Sequence, residues 1–203
     1  MNIRKALPLA LAALAALAGG VWTASHWYAP RPPELQSGIL LPSPRPIAPF
    51  ALLDQDGQPF GPEQLKGRWT LLFAGFTHCP DVCPTTLGLM KALAQRLQPA
   101  PAMLFLSVDP ERDTPQRLRE YVGYFGPGIR GVTGPREQLE ALCASLGIAF
   151  VKVPGATEAD YTMDHSAALV LITPEGRVAG YFTPPHKADT LAADLARILG
   201  SDS

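Results

Sequence analysis

The chain has 203 residues, 47% of them hydrophobic and 17% charged, and a formal net charge of −1. That balance, with no Lys/Arg cluster interleaved with aromatic residues, argues against a nucleic-acid partner. Three cysteines are too few for a disulfide scaffold, so any chemistry they carry rests on where they stand.

The first stretch sets the compartment. Arg4 and Lys5 precede an Ala/Leu-rich run, and no charged residue occurs from Ala6 to Pro30. This is long enough for a membrane span of roughly 20 residues, with Trp22, Trp27 and Tyr28 as an aromatic belt at its far end. Ala16-Leu17-Ala18 also fits the small-x-small pattern of a cleaved signal peptide. Apolar and aromatic character continues past that site, which favours a retained anchor over residues 1–29. Under either reading the basic flank stays in the cytoplasm and the rest is exported. The expectation is a single-pass protein of a bacterial-type inner membrane, its C-terminal domain in the periplasm or outside. Prolines at 30, 32, 33, 42, 44, 46 and 49 predict a semi-extended tether over residues 30–47 rather than a folded element.

Residues 48–203 suffice for one domain with its own core. The Asp56-Gly57 turn predicts an opening β-hairpin near 52–58. Residues 69–76 read as a buried strand, 84–98 as a helix with Leu87, Met90, Ala94 and Leu97 on one face, and 102–108 as a second buried strand. Thr114-Pro115 is a helix start, continued by Leu118, Tyr121, Val122 and Phe125. Leu139, Leu142, Cys143 and Leu146 share a helical face, which makes Cys143 a buried small hydrophobe. Residues 167–172 and 177–182 read as antiparallel strands around Pro174-Glu175-Gly176, and about 187–199 as a final helix. The order predicts an α/β fold: a mixed central sheet flanked by helices, with an added N-terminal hairpin. Two βα units require parallel strands.

The chemistry concentrates at Cys79-Pro80-Asp81-Val82-Cys83-Pro84, directly after the strand at 69–76. A proline inside a helix lacks its N–H and clashes with the preceding turn, so Pro84 predicts a helix N1 position and Cys83 an N-cap. Both sulfurs then lie at a helix N-terminus, where thiolate is favoured. Such a pair can form a disulfide or hold a soft metal ion.

The strand–Cys–helix arrangement resembles the thioredoxin fold, although its cysteines stand further apart than the usual two-residue gap. More fully, residues 48–199 resemble the Sco/SenC family, copper-delivery and thiol-redox proteins of cytochrome c oxidase assembly. The resemblance rests on the runs Phe76 to Pro84, Ser107 to Pro115 and Asp160 to Ser166. It implies that Cys79, Cys83 and His165 bind one copper ion, as Cu(I), Cu(II) or both. Thiolates suit Cu(I), and the imidazole widens the site to Cu(II). It also implies a metallochaperone delivering copper to the dinuclear site of cytochrome c oxidase subunit two, with another periplasmic copper carrier and a thiol reductant as further partners. The competing class is a thiol–disulfide oxidoreductase whose Cys79/Cys83 pair keeps the oxidase cysteines reduced. A thiol peroxidase fits less well, because a second cysteine and, by resemblance, a histidine share the site.

Other candidates have simpler readings beside the functional ones. His78 is an alternative ligand or a loop histidine. Asp81 tunes a thiolate or shapes a turn. Asp164 orients an imidazole, docks a partner or makes a turn. Asp109 ends a strand and, with Pro110, turns the chain. His26 and His186 have no neighbours that define a site.

Overall fold

The computed structural model describes the backbone of residues 3–27, 34–157 and 160–200, and the side chains of all of these except 3–11 and 25–27. Arg4, Lys5, His26, Trp27 and Tyr28 therefore lie outside the described side chains, as do the prolines at 30, 32 and 33. The chain divides into two units, Met1–Pro33 and Glu34–Ser203. The first contains helix α1 (Ile3–Trp27). Among the described residues no helix is long and apolar enough to cross a membrane, so the expected span rests on the sequence pattern.

The second unit is built on an eight-stranded sheet. At its centre, β4 (Thr70–Gly75) runs parallel to β5 (Ala102–Ser107), and β5 parallel to β6 (Ile129–Thr133). On the other side β4 pairs antiparallel with β9 (Leu169–Ile172), and β9 with β10 (Arg177–Phe182). All six residues of β4 are buried, as a strand covered on both faces requires. The helices follow from the sequence with small shifts. They are α2 (Val82–Arg96), α3 (Pro115–Phe125), α4 (Arg136–Leu146) and α5 (Ala188–Gly200). Thr114 caps α3 by accepting the Arg117 amide at 3.2 Å, and Cys143 is buried on α4 among Leu139, Leu142 and Leu146. The Asp-Gly turn makes the expected hairpin of β2 (Leu52–Asp54) and β3 (Pro59–Phe60), which joins the sheet through β2 against β6.

Two parts differ from expectation. Gly38–Pro46, placed by the sequence in a proline-rich tether, is strand β1, antiparallel to β10 at the sheet edge. An edge strand needs only one side of its backbone, so prolines that lack an N–H are tolerated there. The register slips between Leu40 and Arg45, where Pro42 and Pro44 stand. The fit is close: a Cβ on Gly180 would lie 2.2 Å from the Ile39 carbonyl oxygen, so only glycine admits β1 at that point. The segment before β1 is held by Asp194 of α5, a fully buried carboxylate. It accepts the Gln36 amide at 2.9 Å and the Ser37 amide and hydroxyl at 2.8 Å each. The compact unit thus begins at Glu34 rather than at 48.

The second difference is a separate antiparallel hairpin, β7 (Phe150–Val153) with β8 (Thr162–His165), in a region without strong apolar alternation. It delivers His165.

Candidate metal and dithiol site

Strand β4 ends at Gly75, and the chain turns through Phe76–Pro80 into α2. The helix begins at Val82 with Asp81 as N-cap, two residues before the expected start. Cys83 is therefore inside the first turn and is not the cap. Pro84 is third in the helix, where its missing N–H is one of the donors that would have lacked an intrahelical partner in any case. The Asp81 side chain makes no capping bond. Instead the Cys83 amide donates to the Cys79 sulfur at 3.4 Å, so Cys79 takes the role of a capping acceptor.

The two sulfurs differ in kind. Cys79 is partly exposed, whereas Cys83 is fully buried. Burial raises the Cys83 thiol well above the ordinary range, and its hydrogen bond with Cys79 raises it further, against a backbone hydrogen bond with Phe76 that lowers it. The expectation that the helix N-terminus favours thiolate at both sulfurs fails at Cys83, where burial disfavours the charged form. Space for this sulfur comes from Gly75: an added Cβ would lie 2.7 Å from Cys83 Sγ and 2.8 Å from the Phe105 ring.

His165, the last residue of β8, faces the buried sulfur, with Nε2 3.7 Å from Cys83 Sγ. Its Nδ1 lies 3.2 Å from the Ser166 carbonyl oxygen, and Phe73 and Phe76 meet the ring edge-on at 5.9 Å each. Burial holds the imidazole pKa below its usual value, so the ring is neutral near pH 7. The Ser166 carbonyl assigns the proton to Nδ1 and leaves the Nε2 lone pair directed at the sulfur. Metal-binding histidines are commonly fixed in one tautomer in this way. The structure thus brings Cys79, Cys83 and His165 to one place from β8 and the β4–α2 junction. Two soft sulfurs and a neutral imidazole, one sulfur reachable from solvent, can hold a soft metal ion or run thiol–disulfide exchange.

The remaining candidates fall elsewhere. His78 points to Thr77 Oγ1 (3.2 Å) and Asp113 Oδ1 (3.8 Å). Asp81 is exposed at the helix cap, with Thr85 Oγ1 at 3.4 Å. Asp164 is exposed, opposite Val151. His186 contacts the Ala167 carbonyl oxygen at 2.9 Å. Asp109 does more than turn the chain. Fully buried, it accepts the Tyr161 hydroxyl at 2.7 Å and the Arg112 guanidinium.

Several supporting residues escaped sequence reasoning. Buried Asp113 accepts the Thr77 amide (2.9 Å), the Thr77 hydroxyl (2.7 Å) and the Ser107 hydroxyl (2.6 Å), which fixes the loop two residues before Cys79. Arg112 lies 3.7 Å over the Tyr161 ring and donates to the Tyr161 carbonyl at 3.0 Å, tying the entry of β8 to the end of β5. The signal was present, since Asp109, Arg112 and Asp113 all lie in the Ser107–Pro115 run. What a sequence does not show is which of its acids is buried. His78, Asp109 and Asp113 place ligand atoms within 4.8 Å of one another, but Arg112 and the hydroxyl and amide donors already engage both carboxylates, which leaves a cation poorly served.

The central mixed sheet, the flanking helices and the cysteines at a strand–helix junction define a thioredoxin-type fold. Comparison with known proteins narrows this. A family model described as SCO1/SenC matches residues 42–200, and the chain belongs to that family. A relative from Stutzerimonas stutzeri is 44% identical over 169 residues, 81% of this chain and 82% of its own length. Protein SCO1 homolog 1, mitochondrial, of Arabidopsis thaliana is 36% identical over 153 residues, 73% of this chain; the chain spans 46% of that longer relative. Among solved structures, Arabidopsis thaliana ScoI with copper bound matches with a TM-score of 0.72 at 33% identity, covering 76% of this chain and 98% of that one.

Proposed function

We propose that this chain is a copper carrier that binds one copper ion through Cys79, Cys83 and His165 and passes it, by ligand exchange, to the dinuclear copper site of cytochrome c oxidase subunit two. The observation that carries this reading is the neutral imidazole of His165, its Nε2 lone pair directed at the buried Cys83 sulfur at 3.7 Å. In that tautomer the imidazole can serve a copper site as a third ligand. In a dithiol exchanger the same lone pair would act only as a base for the buried thiol, so the copper response of His165→Ala separates the two readings. Three protein ligands leave a position open to a partner's ligand, which suits transfer better than a closed four-ligand site. Support also comes from family membership and from the copper held by the related Arabidopsis structure. Arg4 and Lys5 before the uncharged N-terminal run support a domain on the outer face of a bacterial-type inner membrane, held by residues 1–29, where another copper carrier would load it and a thiol reductant would keep it reduced.

The second reading, a thiol–disulfide oxidoreductase acting on the cysteines of the same oxidase site, draws on the half-exposed Cys79 beside a buried Cys83. One attacking and one resolving sulfur is the arrangement such exchange needs. The two roles are compatible, because a disulfide cannot hold copper.

Titration of the reduced chain with Cu(I) and Cu(II) against a competing chelator, beside a model-disulfide reduction assay, separates them. His165→Ala is expected to lower copper affinity at least about tenfold, the loss of one metal ligand, and to keep dithiol activity. Copper affinity indifferent to His165, with strong disulfide reduction, would make the reductase the principal role.

A further inference from the structure

The parallel strands carry the cysteines at their carboxyl ends. Their opposite ends, about 20 Å away along six-residue strands, border a cavity of about 390 Å³ that the proposed function does not use. Thr70, Ala102 and Ile129, the first residues of the three parallel strands, form part of its wall, and the half-buried Ala94 and Ala100 and the exposed Pro127 add apolar surface over buried Phe60 and Leu65. Its charged lining residues are Arg68 and Arg130; no carboxylate belongs to it. Neither arginine has an ion-pair partner among the described residues. Arg130 instead lies 5.9 Å over the Phe60 ring, and it is the one exposed position of β6. A further donor is the amide nitrogen of Gln64, whose oxygen is already taken by the Gly61 amide at 2.7 Å.

We infer that this cavity is a second binding site, for a small soluble oxyanion, a phosphate ester or carboxylate on a compact apolar body. Both guanidinium groups are exposed and line one recess that holds no carboxylate, so an anion entering it meets positive charge from two sides. The guanidinium fork matches the oxygens of carboxylate and phosphate two at a time. The volume lies at the lower end of the range for small-molecule sites, and the Ala94, Ala100 and Pro127 surfaces favour a ligand with an apolar part over a bare inorganic ion. The site is independent of the copper reading, since none of its residues touches the cysteines or His165.

Calorimetric titration of the full chain with phenyl phosphate, benzoate and inorganic phosphate tests it. Phenyl phosphate or benzoate is expected to bind saturably, and the tighter of the two identifies the oxyanion; inorganic phosphate is expected to be weaker than either. Arg68→Gln and Arg130→Gln should each weaken binding about tenfold, as loss of a charge-assisted contact predicts, and the double substitution should abolish it while Cu(I) affinity stays unchanged. Should the glutamine variants fail to fold, Arg68→Lys with Arg130→Lys keeps the charge, loses the fork and should still weaken binding. Failure of both organic probes to saturate below about 10 mM, or binding that survives the double substitution undiminished, overturns the site.

Discussion

Each sulfur of the dithiol has its own surroundings, and these make its reactivity predictable. Cys83 and Cys143 are buried with raised thiol pKa values, whereas Cys79 is partly exposed and sits at the start of α2. Only the accessible thiolate reacts with a soft electrophile. Brief iodoacetamide treatment of the reduced chain is therefore expected to modify Cys79 first, at least about tenfold faster than either other cysteine, as read by peptide mass spectrometry. Equal rates would mean that the buried sulfurs open readily. Asp113 is the residue on which the loop depends, because its three accepted hydrogen bonds all come from buried Thr77 and Ser107 groups. Asp113→Asn turns amide hydrogens toward some of those donors. About 2–3 kcal/mol of stability should be lost in denaturant titration, with copper affinity falling as the Cys79 loop loosens. A stability loss with copper affinity intact would show that the loop is held from elsewhere.

At the scale of elements, β1 carries the clearest consequence. A chain beginning at residue 47 lacks β1 and the Gln36 and Ser37 donors, which leaves the buried Asp194 carboxylate without those partners. It should unfold about 2–3 kcal/mol more easily than one beginning at 34, the cost of losing charge-assisted hydrogen bonds to Asp194, which among the described residues keeps only Arg197 at 3.7 Å. Equal midpoints in denaturant would show β1 to be a passive cover. The sequence did not reveal this strand because Pro42, Pro44 and Pro46 are the residues expected in a tether, and edge pairing that tolerates them depends on Gly180 and Asp194, far along the chain. The helices and the strands β4, β5, β9 and β10 were legible because each combines an apolar period with a turn residue or cap. The short β6, with Arg130 and Gly131 at its middle, and the polar β8 offered neither. His165 was legible through its Asp-His-Ser setting, but the strand that delivers it was not. The reversal at Cys83 has the same origin: a proline marks a helix start, while burial of the preceding sulfur is a property of the packed sheet.

The molecule as a whole has a small net charge and a core that runs from β4 through four helices, and one share of its response to alkali comes from a thiol within that core, beside Cys83, Tyr121 and Tyr161, which burial raises as well. Burial raises Cys143 from 9.0 to about 12. The unfolded chain releases this proton first as pH rises. The stabilisation is therefore complete below pH 9 and lost progressively from there to about 12. Cys143→Ala should flatten the decline in unfolding free energy over that window, and an unchanged slope would place the alkaline sensitivity elsewhere. The unequal exposure of the two motif sulfurs also has a directional meaning. A competing thiolate arriving from another protein can reach Cys79, whereas Cys83 is sealed from solvent behind it and faces the half-buried His165. If copper is held by all three as proposed, its bond to Cys79 would be exchanged before its bond to the buried Cys83, which would keep its grip until a receiving site is attached. The ion would then not be set free between donor and acceptor, and the depth at which one sulfur is buried would set the order of such a handover.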